Sequence, residues 1–152
     1  MTLLLDPQVR DAVVAHAREG APEEVCGVLG GVRQPGGDEP PDGEGPSRAR
    51  TARRVPNAAA TPRTRYELDP AEQFRAMEAI EDASEAVVGF YHSHPRGPPC
   101  PSATDEALAT WTGYSYVIVA LGGAEPFVGS WRWTGETFEQ ETVAVQSADS
   151  PT

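Results

Sequence analysis

Apolar residues recur at helical spacing near the start of the chain. Val9, Ala12, Val13, His16 and Ala17 share one face of a segment that predicts a first helix over residues 6–19. Asp6 is placed to cap it, Pro7 fits its first turn and Gly20 fits just past its end. On that face His16 reads as a half-buried helix histidine. Residues 25–32 form a short apolar run rich in β-branched side chains, a strand, and residues 48–56 resume as a second strand that makes a long hairpin with the first. Between them, residues 34–47 (QPGGDEPPDGEGPS) carry Pro, Gly and acid but no apolar side chain, which predicts a mobile acidic loop. Asp69, Pro70 and Glu72 supply cap, first-turn proline and capping-box acid for a second helix, with Phe74, Met77 and Ile80 as its core stripe up to about Ser84. Residues 86–91 (AVVGFY) predict a buried strand running into His92-Ser93-His94-Pro95, followed by a Pro/Gly loop over 95–101. Ser102 opens a short helix to about Thr110. Residues 114–121, 126–134 and 137–145 predict three closing strands, with a tight turn at 134–136. This order of strands and two or three helices predicts a mixed α/β fold of α+β type, one domain over residues 1–146 with a frayed polar tail over 147–152.

Length and charge narrow the classes. A chain of 152 residues suits one domain, and such a domain buries about 68–70% of its unfolded surface without disulfide staples. Acids outnumber bases 23 to 12, a net charge of −11. That balance disfavours nucleic acid and anionic membrane as partners, because both demand positive surface. All twelve bases are arginine. High acid without lysine suits a soluble protein of a salt-rich cytoplasm; a G+C-rich genome also favours Arg over Lys. No apolar run reaches the roughly 18 residues of a membrane span, and residues 1–6 lack the length and basic flank of a leader. Cys26 and Cys100 form no Cys-x-x-Cys pair, so a reducing cytosol is the expected compartment.

The segment that carries chemistry is residues 89–105, GFYHSHPRGPPCPSATD. On an extended chain, residues i and i+2 point to the same side, so His92 and His94 present two imidazoles together where a strand ends. Asp105 sits one turn into the next helix and can return to the same point. Two neutral imidazoles and a carboxylate suit zinc and leave a fourth position for water, as in a catalytic site. Ser102-x-x-Asp105 is also a capping box, which needs no metal; the two readings are compatible, since a helix N-terminus favours a carboxylate. Hydrolysis also needs a base for the water proton and a donor for the oxyanion. Spacing alone does not choose the base among Glu23, Glu24, Glu67, Glu72 and Glu85.

His92-Ser93-His94, seven residues, Ser102, two residues and Asp105 resemble the JAMM motif of the MPN-type (JAB/MPN) zinc metalloproteases. Upstream, residues 21–30 (APEEVCGVLG) resemble the Pro-x-Glu-x-Cys-Gly opening of that family, and Asn57 with residues 66–70 (YELDP) resembles the middle of its compact prokaryotic branch. The resemblance covers about residues 6–145. It implies a JAB/MPN-like single domain with a mixed, mostly antiparallel curved sheet flanked by two or three helices. It further implies that His92, His94 and Asp105 bind one zinc ion, that Glu24 is the general base and Ser102 steadies the oxyanion. The implied activity is hydrolysis after the C-terminal diglycine of ubiquitin-like modifiers. In an acidic, lysine-free chain this points to archaeal, desampylase-like removal of small modifiers from their lysine-linked conjugates in the cytoplasm. Two alternatives are processing of a sulfur-carrier protein in cysteine or cofactor synthesis, and a non-catalytic scaffold, which usually lacks motif ligands.

Cys26 and Cys100 have no basic helper nearby in sequence and read as ordinary thiols. Arg48, Arg50, Arg53, Arg54, Arg63 and Arg65 crowd into eighteen residues without an acid. They read as a solvated strand face that balances an acidic protein, or as a landing surface for an acidic modifier. An extended diglycine tail is expected to reach the metal by adding to an exposed strand edge.

Overall fold

The computed structural model describes residues 2–33 and 46–147. Seven strands and three helices follow in the order β1 (Thr2–Leu5), α1 (Pro7–Gly20), β2 (Cys26–Val32), β3 (Ser47–Val55), α2 (Pro70–Asp82), β4 (Ala86–His94), α3 (Ala103–Leu108), β5 (Ser115–Ala120), β6 (Phe127–Trp133) and β7 (Phe138–Val145). This is the expected α+β arrangement. The expected acidic loop falls on residues 34–45 and most of the expected tail on 148–152, both outside the described residues, while Ser47 belongs to β3 rather than to the loop.

The strands close into a ring in the order β1-β3-β2-β4-β5-β6-β7. Four pairings are antiparallel (β2·β3, β2·β4, β5·β6, β6·β7) and three are parallel (β1·β3, β1·β7, β4·β5). The ring is sealed by β1, which the hydropathy pattern did not predict: Leu3 lies between Ser47 of β3 and Val143 of β7. A run of three leucines shows no alternation, and its partners are distant in sequence. Among the described residues each strand has two neighbours, but β1 pairs only with Ser47, Arg48 and Ala49 of β3, so the rest of β3 pairs with β2 alone.

Alternating residues divide the interior into two clusters. Leu3, Leu5, Val9, Val13, Leu29, Val88, Tyr91, Val117 and Val119 pack with α1. Val28, Val55, Ala76, Ile80, Val87, Phe90, Tyr116 and Trp133 pack with α2. The buried residues of α1 are Val9, Val13, Val14 and Ala17. Ala12 is exposed, because the packed face is rotated toward Val14. On α2, Ala76 and Ile80 face the sheet, whereas Phe74, expected in the core, is 62% exposed. At 100° per residue it lies beyond Met77, on the rim of the buried arc. At Gly89 the parallel strands come so close that a Cβ would collide with the Ser115 carbonyl, so β4 can lie against β5 there only with glycine.

Candidate metal centre and active site

β4 runs three residues farther than the apolar pattern indicates and carries His92, Ser93 and His94 as strand residues. Because side chains alternate, the two imidazoles leave one face and Ser93 the other. Ser93 turns toward β2: its hydroxyl accepts a hydrogen bond from Val25 N at 2.8 Å, and its own N–H donates to Val25 O at 3.0 Å. Cys26 stands opposite His92 in the antiparallel register. Two residues back along β2 therefore lie beside two residues on along β4, which carries Glu24 to His94. After the 95–101 loop, α3 begins at the same place. Ser102 caps it by accepting from Asp105 N at 3.0 Å, and Asp105 Oδ2 accepts from Ser102 N at 2.9 Å, a reciprocal capping box.

Asp105 Oδ2 lies 3.1 Å from His92 Nε2 and 3.0 Å from His94 Nε2, and the two Nε2 atoms are 3.2 Å apart. Ligands at about 2.0–2.1 Å around a tetrahedral zinc ion are separated by roughly 3.3 Å, so this triangle has nearly the size of one face of that tetrahedron. Its chemistry also suits a cation. His94 Nδ1 lies 2.9 Å from Pro98 O. A carbonyl only accepts, so Nδ1 carries a proton, and Nε2 is the atom that faces the Asp105 carboxylate, with a lone pair when the ring is neutral and a second N–H when it is charged. A proton or a metal ion must sit among such atoms. All three residues are buried. Burial pushes His92 down. It also opposes the charged forms of His94 and Asp105, but their mutual hydrogen bonding outweighs it, raising His94 and holding Asp105 far below the usual carboxylate range.

A Glu24 carboxylate oxygen and one ring nitrogen of each histidine lie within 4.8 Å of one another. Glu24 is 7% exposed, and its Oε1 has no hydrogen-bond partner. Burial pushes its pKa up to about 7, with His94 opposing and Asp105 adding. An unpartnered buried carboxylate aimed at three converging lone pairs fits a metal site with a bound water. Glu23 is exposed, as is Glu67; Glu72 pairs with Arg75, and Glu85 accepts from Thr51. Of the five acids that spacing left open, the fold thus brings Glu24 to the histidines.

Three supporting residues were not assigned roles from the sequence. Tyr66 is buried and stacks on His92 with centroids 4.0 Å apart and planes at 16°. Asn57 bonds four backbone groups: Nδ2 donates to Glu24 O (2.9 Å) and Arg65 O (3.1 Å), and Oδ1 accepts from Ala59 N (3.0 Å) and Glu67 N (2.9 Å). Asparagine is the residue that mimics backbone in turns, which was the available signal. Ser93 is the third; its place between His92 and His94 on a strand already points it to the opposite face. Cys26 is buried, its thiol pushed up to about 12 by burial and then by Glu24, and it donates to Val55 O at 3.4 Å. Cys100 is exposed on the loop between the ligands. A cavity of about 470 Å³ opens above the centre, lined by Pro22, Glu24, Arg63, Thr64, His94, Pro95, Arg96, Gly97, Pro98 and Ser102.

Residues 6–134 match the family described as prokaryotic homologs of the JAB domain. A desampylase from Haloferax volcanii is 45% identical over 151 residues, which span 95% of this chain and 96% of that protein. A CysO-cysteine peptidase from Mycobacterium tuberculosis is 40% identical over 120 residues, 78% of this chain and 73% of that one. The solution structure of a protein from Desulfitobacterium hafniense shares the fold with a TM-score of 0.81 at 28% identity, covering 95% of this chain and 93% of the other. With that extent of likeness in sequence and fold, the chain belongs to the prokaryotic JAB-domain family.

Proposed function

We propose that this chain is a cytoplasmic zinc-dependent isopeptidase that hydrolyses the bond following the C-terminal diglycine of a ubiquitin-like modifier, releasing it from lysine-linked conjugates. The observation that carries the reading is the triangle of His92 Nε2, His94 Nε2 and Asp105 Oδ2 at 3.0–3.2 Å beside the unpartnered Glu24 carboxylate. Likeness to a desampylase over nearly the whole chain supports the substrate class.

His92, His94 and Asp105 would hold the ion. When bound, zinc supplies Lewis acidity and a water whose pKa is lowered to about 7. Glu24, with a pKa near 7 in its buried position, is matched to take the proton of the attacking water and return it to the departing lysine amine. Ser102 Oγ accepts from Asp105 N, which leaves its hydroxyl proton free to donate into the cavity, toward the oxyanion. His94 is fixed by Pro98 O and His92 by the Tyr66 ring, so the ligand geometry is set before substrate arrives.

The test is metal analysis paired with cleavage of a modifier–lysine conjugate, with and without chelator. One zinc per chain and chelator-sensitive cleavage restored by zinc are expected. Glu24→Gln should retain zinc and lose cleavage, and His92→Ala should lose both; full turnover in Glu24→Gln would show that another group is the base. Likeness to a CysO-cysteine peptidase favours a second reading, trimming of a sulfur-carrier protein. Comparing linear fusions with lysine-linked conjugates separates the two. A complete ligand set offers no support to the scaffold reading.

A further inference from the structure

Acids outnumber arginines 23 to 12, so partners for an arginine are abundant on this surface. Arg48 takes Asp6, Arg54 takes Glu19, Arg75 takes Glu72 and buried Arg132 takes Glu141. Arg63 and Arg96 are exposed and, like Arg18, Arg50, Arg53 and Arg65, have no side-chain hydrogen bond or ion pair among the described residues. They belong to separate segments, one between β3 and α2 and the other between β4 and α3. Both nevertheless line the cavity over the candidate metal centre, where the only acidic lining residue among the described ones is the buried Glu24. The six arginines of residues 48–65 do not share one set of surroundings. Arg48 and Arg54 are engaged within the fold, whereas Arg63 stands at the cleft together with an arginine from outside that stretch.

We propose that Arg63 and Arg96 form a cationic rim that selects a ubiquitin-like modifier bearing acidic side chains just upstream of its diglycine. This inference rests on the isopeptidase reading and specifies the chemistry of its partner. Two glycines offer no side chain to read, so discrimination must come from residues that precede them, and those residues pass the mouth of the cavity. A guanidinium pairs with a carboxylate in a planar, bidentate geometry. Because neither arginine is engaged by another of the described residues, no ion pair among those has to break first. Such solvent-exposed pairs are individually weak, so they bias the choice of partner and the rate of encounter more than they add affinity.

The experiment uses the zinc-loaded protein and two fluorescein-labelled peptides ending in Gly-Gly, one with three acidic residues before the glycines and one with three lysines. Fluorescence anisotropy gives the ratio of their dissociation constants in wild type and in the Arg63→Glu/Arg96→Glu double variant. Wild type should prefer the acidic peptide, and the double variant should move the ratio toward the lysine peptide by about tenfold or more in 0.1 M salt. The difference should shrink in 1 M salt, where the screening length is about 3 Å. Since each ratio is taken within one preparation, partial misfolding does not imitate the shift. Equal ratios in the two proteins, or no binding of either peptide below millimolar concentration, overturn the rim. The same peptides joined to lysine report cleavage separately. Acid preference without cleavage would remove the isopeptidase reading and leave the rim, whereas cleavage with unchanged ratios would remove the rim alone.

Discussion

Replacing Asn57 by Ala removes four hydrogen bonds at once, two donated to Glu24 O and Arg65 O and two accepted from Ala59 N and Glu67 N. A hydrogen bond contributes about 1 kcal/mol net, which sets an upper figure of about 4 kcal/mol. Three of these bonds involve exposed or half-exposed backbone that water can serve, so about 2–3 kcal/mol is expected. For a chain of this size that lowers Tm by roughly 5–10 °C. The effect on catalysis should exceed the effect on stability. The Glu24 carbonyl is one of the four partners, and Glu24 N is held by Pro62 O at 2.7 Å in the same loop, so the backbone that aims the carboxylate loses half of its support. A misplacement of about 1 Å can lower the rate on the order of 10²-fold. Asn57→Asp should be worse than Ala, because a carboxylate would face two carbonyl oxygens. The assay is kcat/KM on a diglycine–lysine substrate at a temperature where calorimetry shows the variant folded, with zinc content measured in parallel. A variant that loses the expected stability, keeps its zinc and turns over like wild type would refute the role of Asn57 in positioning Glu24.

Ser102→Ala should slow turnover roughly 10²–10³-fold, the scale of one oxyanion donor, and destabilise α3 by about 1 kcal/mol through loss of its cap; kinetics at fixed zinc and urea unfolding measure the two effects. His16 gives a pH signature away from the metal: burial, then Arg54, push its imidazole from 6.5 down to about 4, while it bonds the Tyr91 hydroxyl at 2.7 Å. Between those two values the unfolded chain binds more protons than the folded one, so this contribution to stability, complete above pH 6.5, is lost as pH falls toward 4. For a half-buried ring it amounts to about 1–2 kcal/mol after solvent screening; His16→Gln should flatten that part of the stability–pH curve, and parallel curves would contradict the assignment. Ile80→Ala should cost about 2–5 kcal/mol, whereas Phe74→Ser should stay within about 0.5 kcal/mol, as judged by urea midpoints.

The convergence of His92, His94 and Asp105 was legible because each half obeys a local rule. A period of two puts His92 and His94 on one side, and the capping pattern puts Asp105 at a helix start. Asp105 satisfies both rules with one oxygen, which bonds Ser102 N and touches both histidines. Spacing alone left Glu24 and Glu23 open, and the resemblance of residues 21–30 pointed to Glu24; the physical reason for its nearness to His94 is the pairing of β2 with β4, a long-range register that spacing does not contain. The stack of Tyr66 on His92 is likewise a contact between distant segments. Phe74 misled because helical spacing gives the width of an apolar stripe but not which of its margins meets the sheet.

The parallel pairing of β1 with β7 sets Leu5 beside Val145, joining residues from nearly opposite ends of the described chain. Leu3 and Leu5 are almost fully buried, with β3 on one side of their strand and β7 on the other. The ring therefore closes only when β7 docks beside β1, a contact of long sequence separation, and pairings of that kind are the slow ones to form.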